Sequence, residues 1–537
     1  MAQILDLYGF FAVVLLGLTL AFEAFTVGGV VFLWLVDSLE PAEPAVTIRC
    51  RRLLRIVAFA LGIAAVFAIV LTTLVLRGTT DGFRWIDTTS TSFSRAELLI
   101  AAGGVWIAIC SKTISARWLL APAAGVIIGT TLTSHAFARI ENRPSLLFCT
   151  GLHLLATAAW IGGLPSLLIA LRRGSERFAL RAARRFSQLA VASVAILVSA
   201  GVVLGREYVG DVQAIYGTSY GVMLAAKVVL LIVLLGLGAI NFRLLRRQGK
   251  AQSAIRNTVR RIVEVEAAVG ISVIVVASSM ASQAPAVDFP EGRVSLSESA
   301  DRFTPQWPPR LQTPPPAALS PATPLSVEEA KRFGRALSYS TSAQPTLNTP
   351  ADIAWSEYNH NWAGLCVLAA GLLALIAQMR HGHWARHWPL AFLGLAAFIV
   401  IRADPENWPL GPRGFWESFQ VPDVVQHRLA AALVAAFAIF EWRVTTGRTR
   451  QSWHALVFPA ICMIGGALLF AHSHRLGNVR EELLAEESHT GIAIFAIVAA
   501  AARWLELRLP RGPALLGFVW AACFVIIGVM LTFYREA

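Results

Sequence analysis

The chain has 537 residues, 56% hydrophobic and 15% charged, with a formal net charge of +13 and a mean hydropathy of +0.61. That balance excludes an ordinary soluble domain and describes a polytopic membrane protein. The positive excess lies mostly beside apolar segments, where topology and anionic lipid account for it, so it does not call for a nucleic-acid partner.

Crossing a bilayer as a helix takes roughly 20 apolar residues. The pattern predicts an all-α membrane helix bundle of about fourteen transmembrane helices, over residues 8–36, 53–77, 95–111, 116–136, 147–171, 186–206, 218–244, 259–282, 357–379, 388–402, 422–443, 453–475, 488–507 and 514–534. No Lys or Arg precedes Arg49, and the first apolar run is too long for a signal-peptide core, so it is expected to stay in the membrane. Arg172, Arg173, Arg177, Arg181, Arg184 and Arg185 crowd one loop, and seven more basic residues crowd loop 243–261. Basic loops stay cytoplasmic, and alternation from these two places both termini on the outer, periplasmic face. Cys50, Cys110, Cys149, Cys366, Cys462 and Cys523 form no CxxC pair, and no disulfide framework is expected.

Three domains are expected: eight spans in residues 1–285, a Pro-rich outer linker over 286–355, and six spans in 356–537. Twelve of the 25 prolines fall between Pro285 and Pro350, which favours extended, solvated backbone. Within the linker, a Ser-x-x-Glu start and helical spacing of Val327, Ala330, Phe333, Gly334 and Leu337 predict a short amphipathic helix from Ser326 to Tyr339.

Seven of the eleven histidines, His135, His153, His360, His427, His472, His474 and His489, fall at the outer ends of predicted spans. Ionisable groups are costly in a bilayer and are retained for a task. Neutral imidazole is a common ligand for copper, zinc and haem iron. A single outer-end histidine is more commonly an interfacial hydrogen-bonding residue, and it is the number on one side that points to a metal. His135 ends the fourth span and His153 opens the fifth, so a short connection brings them to similar depth on antiparallel neighbours. Gly162 and Gly163, below Ala156 to Ala159, allow close helix contact in lipid, and Trp160 reads as packing.

His135, then His153 with Trp160-x-Gly-Gly, Arg185-Phe186-Ser187, Gly201, Tyr220-Gly221 with Lys227, Asn241 and Glu266-Ala-Ala-Val-Gly270 together resemble the CopD copper-resistance and copper-export membrane protein family, over about residues 1–285. The resemblance implies a bacterial inner-membrane protein of copper homeostasis, often partnered by a periplasmic copper carrier of the CopC type. No fused carrier domain is expected from the sequence. The six C-terminal spans resemble extensions found on some members, with no residue roles to carry over.

From the residues alone, His427, His472 and His489 sit at three consecutive outer helix ends, with His474 and His360 as further candidates. Glu481, Glu482, Glu486 and Glu487 read as an acidic loop that attracts cations or simply faces solvent. Met223 and Met280 suit soft Cu(I), and Cys462 with Met463 lies mid-membrane as a candidate relay; packing is the competing reading for all four. Glu23, Lys227, Glu264 and Glu266 are the deep ionisable groups and candidates for charge coupling, with Lys227 and Glu23 expected to pair. Glu441 and Arg428 lie nearer the span ends.

The expected function is copper handling, by secondary or facilitated transport from a periplasmic histidine site, with a copper ion as cargo, membrane lipid as surroundings and no enzymatic activity. Two alternatives stand beside it. One is a b-type cytochrome holding haem b between paired histidines near the periplasmic side; the other is a membrane receptor for the copper carrier that transports nothing.

Overall fold

A computed structural model describes residues 8–37, 39, 43–80, 82–247, 252–290, 293–315, 350–404, 407–419, 422–449, 451, 453–470, 479–509 and 513–536. Among them there are helices and no strands. Among the described residues twelve helices are long and apolar enough to cross a membrane, against the fourteen expected. The two remaining predicted spans appear as a helix over Pro422–Thr445 and a shorter one over Val457–Leu469. The chain is a multi-pass membrane protein. It divides into two compact units, Met1–Arg293 and Val294–Ala537.

The first unit contains α1 (Tyr8–Asp37), α2 (Pro44–Thr79), α3 (Ser92–Cys110), α4 (Ala116–Thr133), α5 (Arg143–Thr157), α6 (Leu164–Arg173), α7 (Glu176–Val209), α8 (Ser219–Arg246) and α9 (Gln252–Ala281). Local chemistry sets several of the starts. Pro44 occupies the first turn of α2, where its missing N–H costs nothing. Thr91, Ser175 and Thr218 cap α3, α7 and α8 by accepting from the backbone N–H of Ser94, Phe178 and Gly221.

Between α5 and α6 the helix widens into a π turn over Ala158–Gly162. Such turns are uncommon and cluster at functional sites. Here the turn is wholly buried and seated against α1, where a Cβ on Gly162 would collide with the Ala24 carbonyl and one on Gly28 with that of Ala158. The expected close helix contact at the glycine pair is therefore present. Gly163 continues it, since a Cβ there would stand 2.5 Å from the Phe186 ring of α7.

The second unit contains α10 (Leu296–Phe303), α11 (Pro350–Ala377), α12 (Ala391–Ile401), α13 (Pro422–Thr445), α14 (Val457–Leu469), α15 (Val479–Arg508) and α16 (Leu515–Thr532). α11 and α16 cross at Gly364, Gly371 and Gly528, where an added Cβ would strike the facing backbone. Trp388, Phe458, Trp520 and Phe524 fill the core beside them.

Part of the segment expected as extended linker is helical. Ser295 and Glu298 form a capping box that starts α10, and Arg302 is buried, bonding the Tyr534 hydroxyl at 2.7 Å. The predicted helix at Ser326–Tyr339 lies outside the described residues. The acidic run read as a loop belongs to α15, which begins at Val479; Glu486 and Glu487 are buried in it, and Glu487 accepts from the Ser299 hydroxyl at 2.8 Å. Sequence reading ended the apolar pattern where charges began, whereas helix-to-helix hydrogen bonding carries these carboxyls inside.

Candidate functional site

His135 sits in a one-turn helix, His135–Ala138, just beyond α4. Its ring stands edge-on to Tyr208 with centres 6.3 Å apart, and its Nε2 is buried without a hydrogen-bond partner. Burial lowers its pKa, against the raising influence of the Ala281 and Gln283 backbone. Neutral imidazole with a free nitrogen is the form that binds a metal. Around it, Tyr208, Tyr220 and Met280 pack with Ala136, Leu146 and Ala286, so Met280 belongs to the histidine's surroundings, and Met223 is fully buried in α8.

His153 lies deeper, on α5. Its ring abuts Gly201, whose Cβ would lie 3.6 Å from Cε1, and it meets the Leu197 backbone and feels the charge of Lys227. Its Nδ1 is buried and unpartnered. His135 and His153 share no ring contact among the described residues.

Farther along the same helix the π turn presents Trp160 to α9. The indole donates to Glu266 Oε1 at 2.9 Å, and Asn241 Nδ2 donates to Oε2 at 2.9 Å. Trp160 is thus a hydrogen-bond donor to a buried carboxyl as well as packing. A cavity of about 410 Å³ opens beside Glu266, Asn241 and Trp160. Glu264, two residues earlier, turns to Arg172 at 2.8 Å.

The expected Glu23–Lys227 pair is not formed. Glu23 accepts from the Thr130 hydroxyl at 2.7 Å and faces Glu97 of α3, while Lys227 lies beside His153. α1 presents Glu23 to α3 and α4, away from α8. Glu97, the sixth residue of α3, is not among the candidates the sequence offered; its only signal is a lone acid at the head of an otherwise apolar run.

In the second unit His360 and His489 come together, ring centres 6.3 Å apart. His360 Nδ1 is held by the Ser356 carbonyl at 2.8 Å, which leaves Nε2 as its ligand atom. Tyr534 stacks on the ring at 4.1 Å, and Arg302 covers Tyr534 at 4.5 Å. His427 is elsewhere, engaged with Asp404 at 2.8 Å, so it does not join His489 as expected. The spacing gave each histidine a place along its helix, and the direction around the helix axis is what it left open. His472 and His474 lie outside the described residues. Cys462 packs at the edge of the core and feels Glu441; Met463 beside it is half-buried. Arg428 reaches the Val400 and Trp408 carbonyls. No group of three or more His, Cys, Asp or Glu side chains that would hold a metal is assembled among the described residues.

Residues 180–280 match the family described as Copper resistance protein D. The chain is 30% identical over 162 residues to the copper transport protein CutJ of Bacillus subtilis (strain 168). That alignment spans 29% of this chain and 29% of the relative. No solved structure matches. The matched segment comprises most of α7, all of α8 and most of α9, the three helices that carry Gly201, Lys227, Asn241 and Glu266, and it is over these helices that the chain is similar to the copper resistance protein D family.

Proposed function

We propose that this protein moves copper across a bacterial inner membrane, by secondary or facilitated transport, taking the ion at the periplasmic face from a carrier of the CopC type. The observation that supports it best is the seating of His153 against Leu197 and Gly201, both inside the segment that matches Copper resistance protein D. An imidazole with an unpartnered nitrogen thus adjoins the segment that matches the copper resistance family model. His135 with Met280 supplies an outer entry of nitrogen and thioether donors suited to Cu(I), and His360 with His489 supplies a second imidazole pair. The buried carboxyls are the candidates for coupling. Copper is cargo in this reading, and no enzymatic step is assigned.

Copper flux into proteoliposomes, with elemental analysis and a visible spectrum of the purified protein, tests it. Bound copper, no Soret band and flux that falls in His153→Ala are expected. Binding without flux would favour a receptor, and a Soret band that shifts on reduction would favour a b-type cytochrome; either overturns the transport reading.

A further inference from the structure

The cavity of about 410 Å³ in the first unit is walled by α6, α7, α8 and α9. It runs from Trp160, Asn241 and Glu266 toward Ala183, Leu245 and Val259, near the helix ends that carry Arg172, Arg243 and Arg256. Most of its wall is apolar. The polar groups on it are Glu266, Asn241, Ser187, Arg243 and the Trp160 indole. Glu266 and Asn241 are 3% and 6% exposed, and Asn241 Oδ1 is buried with no hydrogen-bond partner. A buried acceptor left unsatisfied is costly, and the polar end of the cavity at Glu266, Asn241 and Ser187 is where a water resolves that cost. At roughly 30 Å³ per water, the space has room for a file of waters from there along the apolar wall.

The chemistry selects the ion that such a site takes. Hard divalent cations want six or more oxygen ligands, and copper prefers nitrogen or sulfur. Here one carboxyl already accepts an N–H on each oxygen and the remaining wall is largely hydrocarbon. A proton needs a single lone pair, and each carboxylate oxygen keeps one beyond its N–H bond.

We propose that Glu266 is a proton-binding group loaded through this cavity from the end of the bundle that carries the basic loops. A hydronium in the cavity gives its proton to a Glu266 oxygen and leaves water; release reverses the step. Trp160 and Asn241 are positioning residues that hold the carboxyl at the head of the cavity. Among the described residues, no other carboxyl and no imidazole lines the cavity. On α8, Arg243 lines the cavity, and Lys227 lies about four turns, ~21 Å at helical rise, from Asn241, beside His153. On α1, Glu23 faces Thr130 and Glu97. On α6, Arg172 holds Glu264. On α7, Arg184 and Arg185 reach the Leu245 and Leu35 carbonyls.

This gives the proposed copper transport its coupling group, and it rests on that reading only for the coupling. Infrared difference spectra of the full-length protein in lipid, without copper, read protonation directly between mildly acidic and mildly alkaline buffer. A titrating carboxyl band is expected, absent in Glu266→Gln and shifting promptly in deuterated buffer. Gly238 lies on the cavity wall, with its Cβ position 3.9 Å from Glu266 Oε1, and Gly238→Leu should fill the space and slow that exchange. Folding of each variant is checked by its thermal transition. If Glu266→Gln leaves every titrating band in place, or the Glu266 band exchanges equally fast with the cavity plugged, the assignment is overturned. Copper flux under an imposed pH gradient then tests coupling. A response lost in Glu266→Gln is expected, and flux blind to the gradient in the parent protein overturns the coupling. A titrating band in a protein that moves no copper at all would leave the proton site standing and remove the transport reading.

Discussion

Gly162 rests its backbone on the carbonyl of Ala24 with no room for a β-carbon between them. The expected consequence is that Gly162→Ala forces α1 and the π turn apart. Overpacking of a tight core costs about 1–3 kcal/mol, and collision with backbone places this site at the upper end. Gly205→Ala on α7 meets nothing within 4 Å and should be neutral or stabilising by up to about 1 kcal/mol, through reduced chain entropy. Thermal unfolding in one detergent compares the two.

Arg310 donates to Glu357 at 2.7 Å, and Glu357 is 4% exposed. Its other oxygen accepts from the Glu536 backbone. Arg310→Met leaves half of that carboxyl without its charged donor, and a hydrogen bond to a charged group is worth about 1.5–3 kcal/mol. Because Arg310 is itself partly exposed, solvent screening places the expected loss toward the lower figure. Thermal unfolding of Arg310→Met and Glu357→Gln, singly and together, measures the coupling; additivity of the two losses would show that the pair contributes nothing.

Asp211 follows α7, where the Arg293 side chain and the Ala214 backbone N–H hold its carboxyl below the ordinary aspartate value of 3.8. A depressed carboxylate contributes fully above its unfolded pKa and loses that contribution as pH falls through the folded one. Between about pH 4 and lower values, the Ala214 amide should become progressively less protected from hydrogen exchange. Asp211→Asn should flatten that dependence, and an unchanged profile would contradict it.

Copper binding to the second unit should depend on His360 and His489 together and little on His427. His360 is oriented by the Ser356 carbonyl, and loss of an orienting partner alone typically costs 10–100-fold in metal affinity, so loss of the ring should cost at least about 100-fold. Competition titrations with a Cu(I) chelator compare His360→Ala, His489→Ala and His427→Ala. Equal losses in all three would dissolve the distinction between the pair and the His427–Asp404 contact.

The spans were legible because lipid demands long apolar runs, and the glycine contacts because close helix approach demands small residues. What stayed hidden depended on azimuth or on distance along the chain. Trp160 and Glu266 are 106 positions apart, and nothing local tells a donor indole from a packing one. His427 and His489 have similar predicted depth, yet one faces Asp404 and the other His360. Glu486 and Glu487 carry charge that reads as solvated, and only the helix that buries them shows otherwise.

The wide turn at Ala158–Gly162 also sets the phase of everything after it. A turn closed by i→i+5 bonds takes up one residue more than an α turn, so deleting one residue there would restore ordinary winding with the downstream face nearly unmoved. Leu164, Leu167 and the arginines at the end of α6 would keep their neighbours. The same deletion in the regular helix that follows would rotate everything after it by about 100°, so this turn is where the span can absorb a change of length.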